Sequence, residues 1–108
     1  MNKMMELAIE LAAKSRCKQQ HAAVIVYRGK ILATGVNQKL ECPTTTNWRN
    51  NYIHAEEAAI LKAGGNIPRG AKIYIARVGG NGSPANSAPC TRCYGRITRA
   101  GIKEIAFT

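Results

Sequence analysis

The sequence predicts an α/β protein built on a mixed sheet. Three patterns carry that expectation: an amphipathic opening stretch, a strand pair joined by Arg28-Gly29, and alternating strand and helix signals from residue 54 onward. Over about residues 2–16, Met5, Ala8 and Ala12, with Met4, Leu7 and Leu11 alongside, recur at the three-and-four spacing of a helix whose apolar stripe needs a sheet to cover. Residues 22–27 and 30–35 are short β-branched-rich runs, and Gly29 can supply the positive φ of a tight turn, so the two are expected to pair antiparallel. Residues 36–53 turn to Asn, Thr, Cys-Pro and Trp48, the composition of a long loop that carries function. Residues 54–63 are rich in Ala, Glu, Leu and Lys and stop at Gly64-Gly65, which predicts a helix and its end. A strand over 72–78, a flexible loop over 79–88, a helix over 89–100 and a strand over 103–107 complete the order. Strand, helix, strand, helix, strand implies right-handed crossovers and parallel pairing.

A chain of 108 residues suits one domain, expected to span 1–108. Apolar residues make up 45%, and no run approaches the roughly 18 to 20 that would cross a bilayer, so a membrane partner is not expected. Glu6 falls where a signal peptide would build its apolar region, which predicts a cytoplasmic protein. In a reducing compartment the four cysteines, Cys17, Cys42, Cys90 and Cys93, point to metal or redox chemistry rather than disulfides. Sixteen Lys and Arg against six Asp and Glu give a formal charge of +10, which concentrates phosphate-bearing ligands, nucleotides and nucleic acid alike. Those basic residues are scattered along the sequence rather than gathered into one run.

Cys90 and Cys93 stand three apart at the expected start of a helix, where i and i+3 share a face and the positive helix end favours thiolates. Pro89 is suited to open that helix, because its missing N–H would have no intrahelical acceptor there. Two thiols leave a tetrahedral zinc site incomplete. His54 opens the other helix, in a topology that can bring both helix starts to one edge of the sheet. Three protein ligands leave a fourth position for water, whose pKa zinc lowers to about 7, and that arrangement is catalytic rather than structural. Glu56, two residues past His54, would turn about 200° away on a regular helix, so periodicity alone does not bring it to the metal.

His54-Ala55-Glu56 followed by Pro89-Cys90-Thr91-Arg92-Cys93 resembles the His-x-Glu and Pro-Cys-x-x-Cys signature of zinc-dependent cytidine and deoxycytidylate deaminases. The resemblance runs from the first helix through residues 31–37 to residues 100–103, and is strongest to compact, phage-type deoxycytidylate-deaminase-like proteins. It implies a three-layer α/β/α fold with a central mixed sheet. Zn2+ would be the cofactor, and a hydroxide generated on it would attack the amine-bearing carbon of a cytosine-type nucleotide or nucleoside, dCMP before others. Glu56 would take a proton from the water and deliver it to the ring nitrogen and the leaving amine. Asn37 would contact the sugar, and backbone near Ala55 and Ala88 would help hold the base. The chain is C-terminally short beside the family, which commonly continues with another strand and helices; the apolar surface left uncovered predicts a homo-oligomer.

Other residues admit two readings each. Asn37 also suits a turn after a strand, and Trp48 and Tyr52 suit either packing or stacking on a base. Glu56 and Glu57 could be solvated first-turn acids favoured by the helix dipole. Tyr94 is expected in the core. Cys17, His21 and Cys42 could form a second, structural zinc site, although buried free thiols are the commoner outcome. Residues 79–84 lack the lysine and helix start of a phosphate loop and read as a mobile wall of the pocket. Two rival functions share these features: a polynucleotide-editing deaminase acting on single-stranded DNA or RNA, and a non-catalytic, zinc-stabilised nucleic-acid-binding module.

Overall fold

Asn2 begins the first helix as its cap, the side-chain oxygen accepting the Met4 N–H at 2.8 Å. The computed structural model describes residues 2–17, 19–39, 52–64 and 67–108, with the backbone alone for Lys39 and Tyr52. Helix α1 (Lys3–Ala13) leads into β1 (Gln20–Tyr27), β2 (Lys30–Val36), β3 (Gln38–Lys39) and β4 (Tyr52–Ile53). Helix α2 (Ala55–Ala63), β5 (Lys72–Val78), β6 (Pro84–Ala85), α3 (Thr91–Arg99) and β7 (Glu104–Phe107) follow. No helix among the described residues is long and apolar enough to cross a membrane.

The β1–β2 hairpin forms as the sequence predicts, and both turn residues take positive φ, Arg28 at 49° and Gly29 at 78°. That is the mirror-image turn whose twist matches paired strands. The pairing of β5 corrects the expectation of parallel neighbours, because β5 runs antiparallel to β1. It is parallel in direction to β2, but β1 lies between them: α2 crosses from β2 back over β1 and returns the chain to β1's remaining free edge. Beyond β5 the expectation holds, since β7 pairs parallel with Lys72–Ile75. The result is a mixed sheet in the order β2-β1-β5, with β6 and β7 sharing the far edge of β5.

Alternation along β1 and β5 divides the core into two layers. Ala22, Val24, Val26, Tyr74, Ala76 and Val78 meet Ala8 and Ala12 of α1 on one face. Ala23, Ile25, Ile73 and Ile75 meet Ala55 and Ala59 of α2 and Ile97 of α3 on the other. The three-layer α/β/α arrangement is therefore present. Ile31, Leu32, Leu61, Tyr94 and Phe107 remain exposed. Tyr94 thereby departs from its expected place in the core: it lies on the outer side of α3, whose inward face is taken by Cys93 and Ile97.

Three further corrections concern chain segments. Helix α1 stops at Ala13 rather than near residue 16, because Ser15 is buried and its hydroxyl donates to Asn37 Oδ1 at 2.7 Å instead of continuing the helix. The expected 36–53 loop contains a short ladder, with Gln38 opposite Ile53 and Lys39 opposite Tyr52. The expected flexible loop at 79–88 is a tight turn closed by Gly82 N–H on the Gly79 carbonyl, followed by β6 antiparallel to Arg77–Val78. The mobile wall read there is thus an extension of the sheet edge.

Gly35 sets the spacing between α2 and the sheet. A Cβ at this position would lie 2.5 Å from Ala59 N, 2.6 Å from Ala55 O and 2.9 Å from Ala58 Cβ. The alanine-rich face of α2 and the missing side chain of Gly35 together let helix and strand touch backbone to backbone. Gly35→Ala should therefore destabilise the protein by about 1–3 kcal/mol, the range for overpacking. Gly80→Ala, where an added Cβ meets nothing within 4 Å, should stay within about 0.5 kcal/mol. Denaturant unfolding of the two variants checks the contrast.

Candidate metal centre

Both helices on the Gly35 side of the sheet begin with a residue ill suited to capping. His54 is the N-cap of α2 and Cys90 the N-cap of α3, each in extended backbone (ψ 153° and 166°) and neither side chain bonded to its own helix. Ser, Thr, Asp or Asn would satisfy a free N–H at these positions, and these two side chains are left to point elsewhere. They converge. His54 Nδ1 lies 3.1 Å from Cys93 Sγ and 4.0 Å from Cys90 Sγ, and the three ligand atoms all lie within 4.8 Å of one another. A tetrahedral zinc with its usual bond lengths needs ligand atoms about 3.5–3.8 Å apart, so one imidazole and two thiols at these separations fit that ion. Cys93 is fully buried, whereas His54 and Cys90 are exposed, which leaves one side of the trio open. Pro89 precedes the Cys90 cap, and the first helical residue is Thr91, a two-residue correction to the expected start.

Burial pushes the Cys93 thiol well above its ordinary range, and the negative charge of Glu56 adds to the shift, followed by Cys90 and Glu57. Glu56 is therefore close to the cysteine. It is 4% exposed, and its Oε1 is buried with no hydrogen-bond partner among the described residues. The 200° objection from helical periodicity is answered by the cap: His54 is outside the helix, so its direction does not follow helical phase, while Glu56 is the second helical residue.

Glu57 corrects the reading of a solvated acid. It is buried, and its Oε2 accepts from Arg92 Nη2 at 3.2 Å and Arg96 Nε at 3.1 Å, joining the two ligand-bearing helices. The arginines that are scattered in sequence gather in space. Arg92, Arg96 and Arg99 line a cleft of about 530 Å³ between α2 and α3, with Ile60 and Gly95 in its wall.

The remaining expected site residues fall in different places. Ala55 is buried as the first helical residue of α2, where its N–H has no intrahelical acceptor. Ala88 is exposed just ahead of α3, its N–H donated to Asn86 Oδ1 at 2.9 Å. The Asn37 carboxamide is largely occupied: Oδ1 accepts from the Ser15 hydroxyl and from His21 N–H at 2.9 Å, and Nδ2 donates to the Gln19 carbonyl. One N–H of Asn37 remains for another partner. Trp48 and Cys42 lie outside the described residues, and Tyr52 is placed by its backbone in β4. Cys17 is half-buried, with Sγ 3.4 Å from the Asn37 carbonyl. Among the described residues, His54, Cys90 and Cys93 form the only cluster able to hold a metal. Nothing in the sequence marks Ser87, which is buried, donates to the Ile75 carbonyl at 2.9 Å and receives the Thr108 N–H at 2.9 Å, fixing the approach to Cys90.

The model of the cytidine and deoxycytidylate deaminase zinc-binding region matches residues 1–108. The deoxycytidylate deaminase of Schizosaccharomyces pombe is 30% identical over 122 residues, covering 95% of this chain and 35% of that protein. The chain thus spans about a third of the length of that curated relative. Among solved structures, the apo dCMP deaminase of cyanophage S-TIM5 superposes with a TM-score of 0.73 at 25% identity, over 99% of this chain and 84% of that one. The same phage protein crystallised with dCMP and dUMP gives a TM-score of 0.73 at 23% identity, over 95% and 76% of the two chains.

The raised thiol of Cys93 makes metal uptake pH-dependent. A protonated thiol must lose its proton to become a ligand, so zinc affinity should rise with pH through the neutral and mildly alkaline range and fall on acidification. Calorimetry in buffers of different ionisation enthalpy should show net proton release on zinc binding. The ion-pair link should also be measurable: Arg92→Ala combined with Arg96→Ala leaves Glu57 buried without a cation and should cost about 1–3 kcal/mol in denaturant unfolding.

Proposed function

The chain belongs to the cytidine and deoxycytidylate deaminase zinc-binding family, and from that premise we propose that it is a hydrolytic deaminase of a cytosine-type nucleotide or nucleoside, dCMP before others. The observation that carries this reading is the meeting of His54, Cys90 and Cys93 at two helix starts, with the unpartnered buried carboxylate of Glu56 beside Cys93. Structural zinc sites are closed by four protein ligands, and three with an open side suit catalysis.

His54, Cys90 and Cys93 would hold zinc, which would supply the Lewis acidity that makes water a nucleophile near neutral pH. Glu56 takes one proton from the attacking water and delivers it to the ring nitrogen, while the water oxygen bonds to the amine-bearing carbon and the double bond from that carbon to the ring nitrogen becomes single. Glu56 then moves a second proton to the amine, which departs as ammonia and leaves a carbonyl. Water is consumed and no oxidant or reductant is needed. Glu56 is suited to this shuttle because its Oε1 has no structural partner to give up. The free N–H of Ala55 and the remaining N–H of Asn37 are the groups proposed to hold base and sugar, with the chain near Ala88 as the facing wall. The S-TIM5 enzyme, crystallised with dCMP and dUMP, supports the choice of nucleotide.

Ammonia release across a panel of cytosine and purine nucleosides, nucleotides and a single-stranded oligonucleotide tests the reading. Zinc-loaded protein should deaminate dCMP ahead of the oligonucleotide. Glu56→Gln should lower kcat at least hundredfold while keeping the zinc content of the parent. A folded, zinc-loaded chain that releases ammonia from nothing on the panel would sink the proposal.

A further inference from the structure

His21 occupies a position that core packing does not explain. On β1 it shares the face of Ala23 and Ile25, which belong to the apolar layer under α2 and α3. Ala23 pairs with Gly35, and Gly35 is where the backbone of Ala55 touches the sheet. His54 precedes Ala55 by one residue, and His21 precedes Ala23 by two on the same face. The apolar layer therefore ends in a polar step directly below the start of α2. Arg77, directly opposite His21 on β5, completes that step.

His21 is half-buried in this corner. His21 Nε2 is inaccessible and has no hydrogen-bond partner among the described residues, and the same holds for Glu56 Oε1 and Arg77 Nε. Buried polar atoms in native proteins find partners, so two orphans facing each other on one sheet face, His21 Nε2 and Arg77 Nε, call for a ligand or ordered water. The backbone of His21 is clamped on both sides by Asn37, whose Oδ1 accepts its N–H at 2.9 Å and whose own N–H donates to its carbonyl at 3.2 Å. Asn37 is in turn held by Ser15 Oγ. A backbone so anchored fixes the point from which the ring projects.

Resting on the deaminase reading above, we propose that His21 is a substrate-contacting residue whose Nε2 hydrogen-bonds an uncharged polar atom of the bound nucleotide, a sugar hydroxyl or base carbonyl. Burial, the Arg77 cation and the nearby His54 all disfavour the charged ring. A neutral imidazole reads a hydroxyl or carbonyl rather than a phosphate.

The chain has two histidines, so the imidazole nitrogen spectrum of the zinc-loaded Glu56→Gln protein contains two rings, assigned by His21→Gln. Titration with dCMP should shift the His21 signals. By calorimetry in the same background, His21→Leu should weaken dCMP and deoxycytidine alike by about tenfold. His21→Gln, which keeps a polar atom near the Nε2 position, should stay within about threefold, with zinc content and melting temperature unchanged in both. Unaltered nucleotide affinity in a folded, zinc-loaded His21→Leu protein overturns the assignment, as does a loss confined to dCMP, which would place the contact at the phosphate. Parent protein that deaminates dCMP while His21→Leu retains its KM overturns this inference alone. Parent protein that neither binds nor deaminates any cytosine compound overturns the deaminase reading itself.

Discussion

Helix α2 rests on β2 at the limit of backbone contact, because Gly35 presents a hydrogen where any other residue would drive a carbon into Ala55, Ala58 and Ala59. That approach fixes where the helix starts as well as how deep it lies. Since His54 is the cap of α2 and Glu56 its second residue, the positions of one metal ligand and the candidate proton carrier follow from a strand glycine in another part of the chain. The Glu57 carboxylate then brings α3 to the same place through Arg92 and Arg96. Exposed ion pairs contribute little, but this one is buried at its acidic end, so its loss strands a charge.

The metal trio is built where a free thiolate is disfavoured. The electrostatic surroundings that would keep Cys93 protonated, deep burial and two acids nearby, are those a divalent cation relieves. The same cation would balance Glu56, while Glu57 is already met by Arg92 and Arg96.

Much of this was legible in the sequence. The three helices, the hairpin, strands β5 and β7, and the grouping of His54, Cys90 and Cys93 follow from periodicity, turn chemistry and ligand spacing. What was not legible depends on contacts between residues remote in sequence. Spacing cannot say that β5 pairs with β1 instead of β2, because that choice rests on where α2 crosses the sheet. Nor can it distinguish Glu57 from a solvated acid until Arg92 and Arg96 are brought across from α3. His21 reads in sequence as an ordinary strand residue or a metal ligand, and its place beneath the start of α2 emerges only from the register of β1 against Gly35 and Arg77. The short ladders β3–β4 and β5–β6 are too brief to leave a periodic signature.

The β3–β4 ladder gives His54 a second anchor. Ile53, the residue before it, pairs with Gln38, and Ala55, the residue after it, lies against Gly35. The imidazole thus projects from main chain that is held on both flanks, by strand pairing on one side and by helix-to-strand contact on the other. A ligand positioned this way has its direction set before any ion arrives, so little conformational freedom is left to be lost on binding.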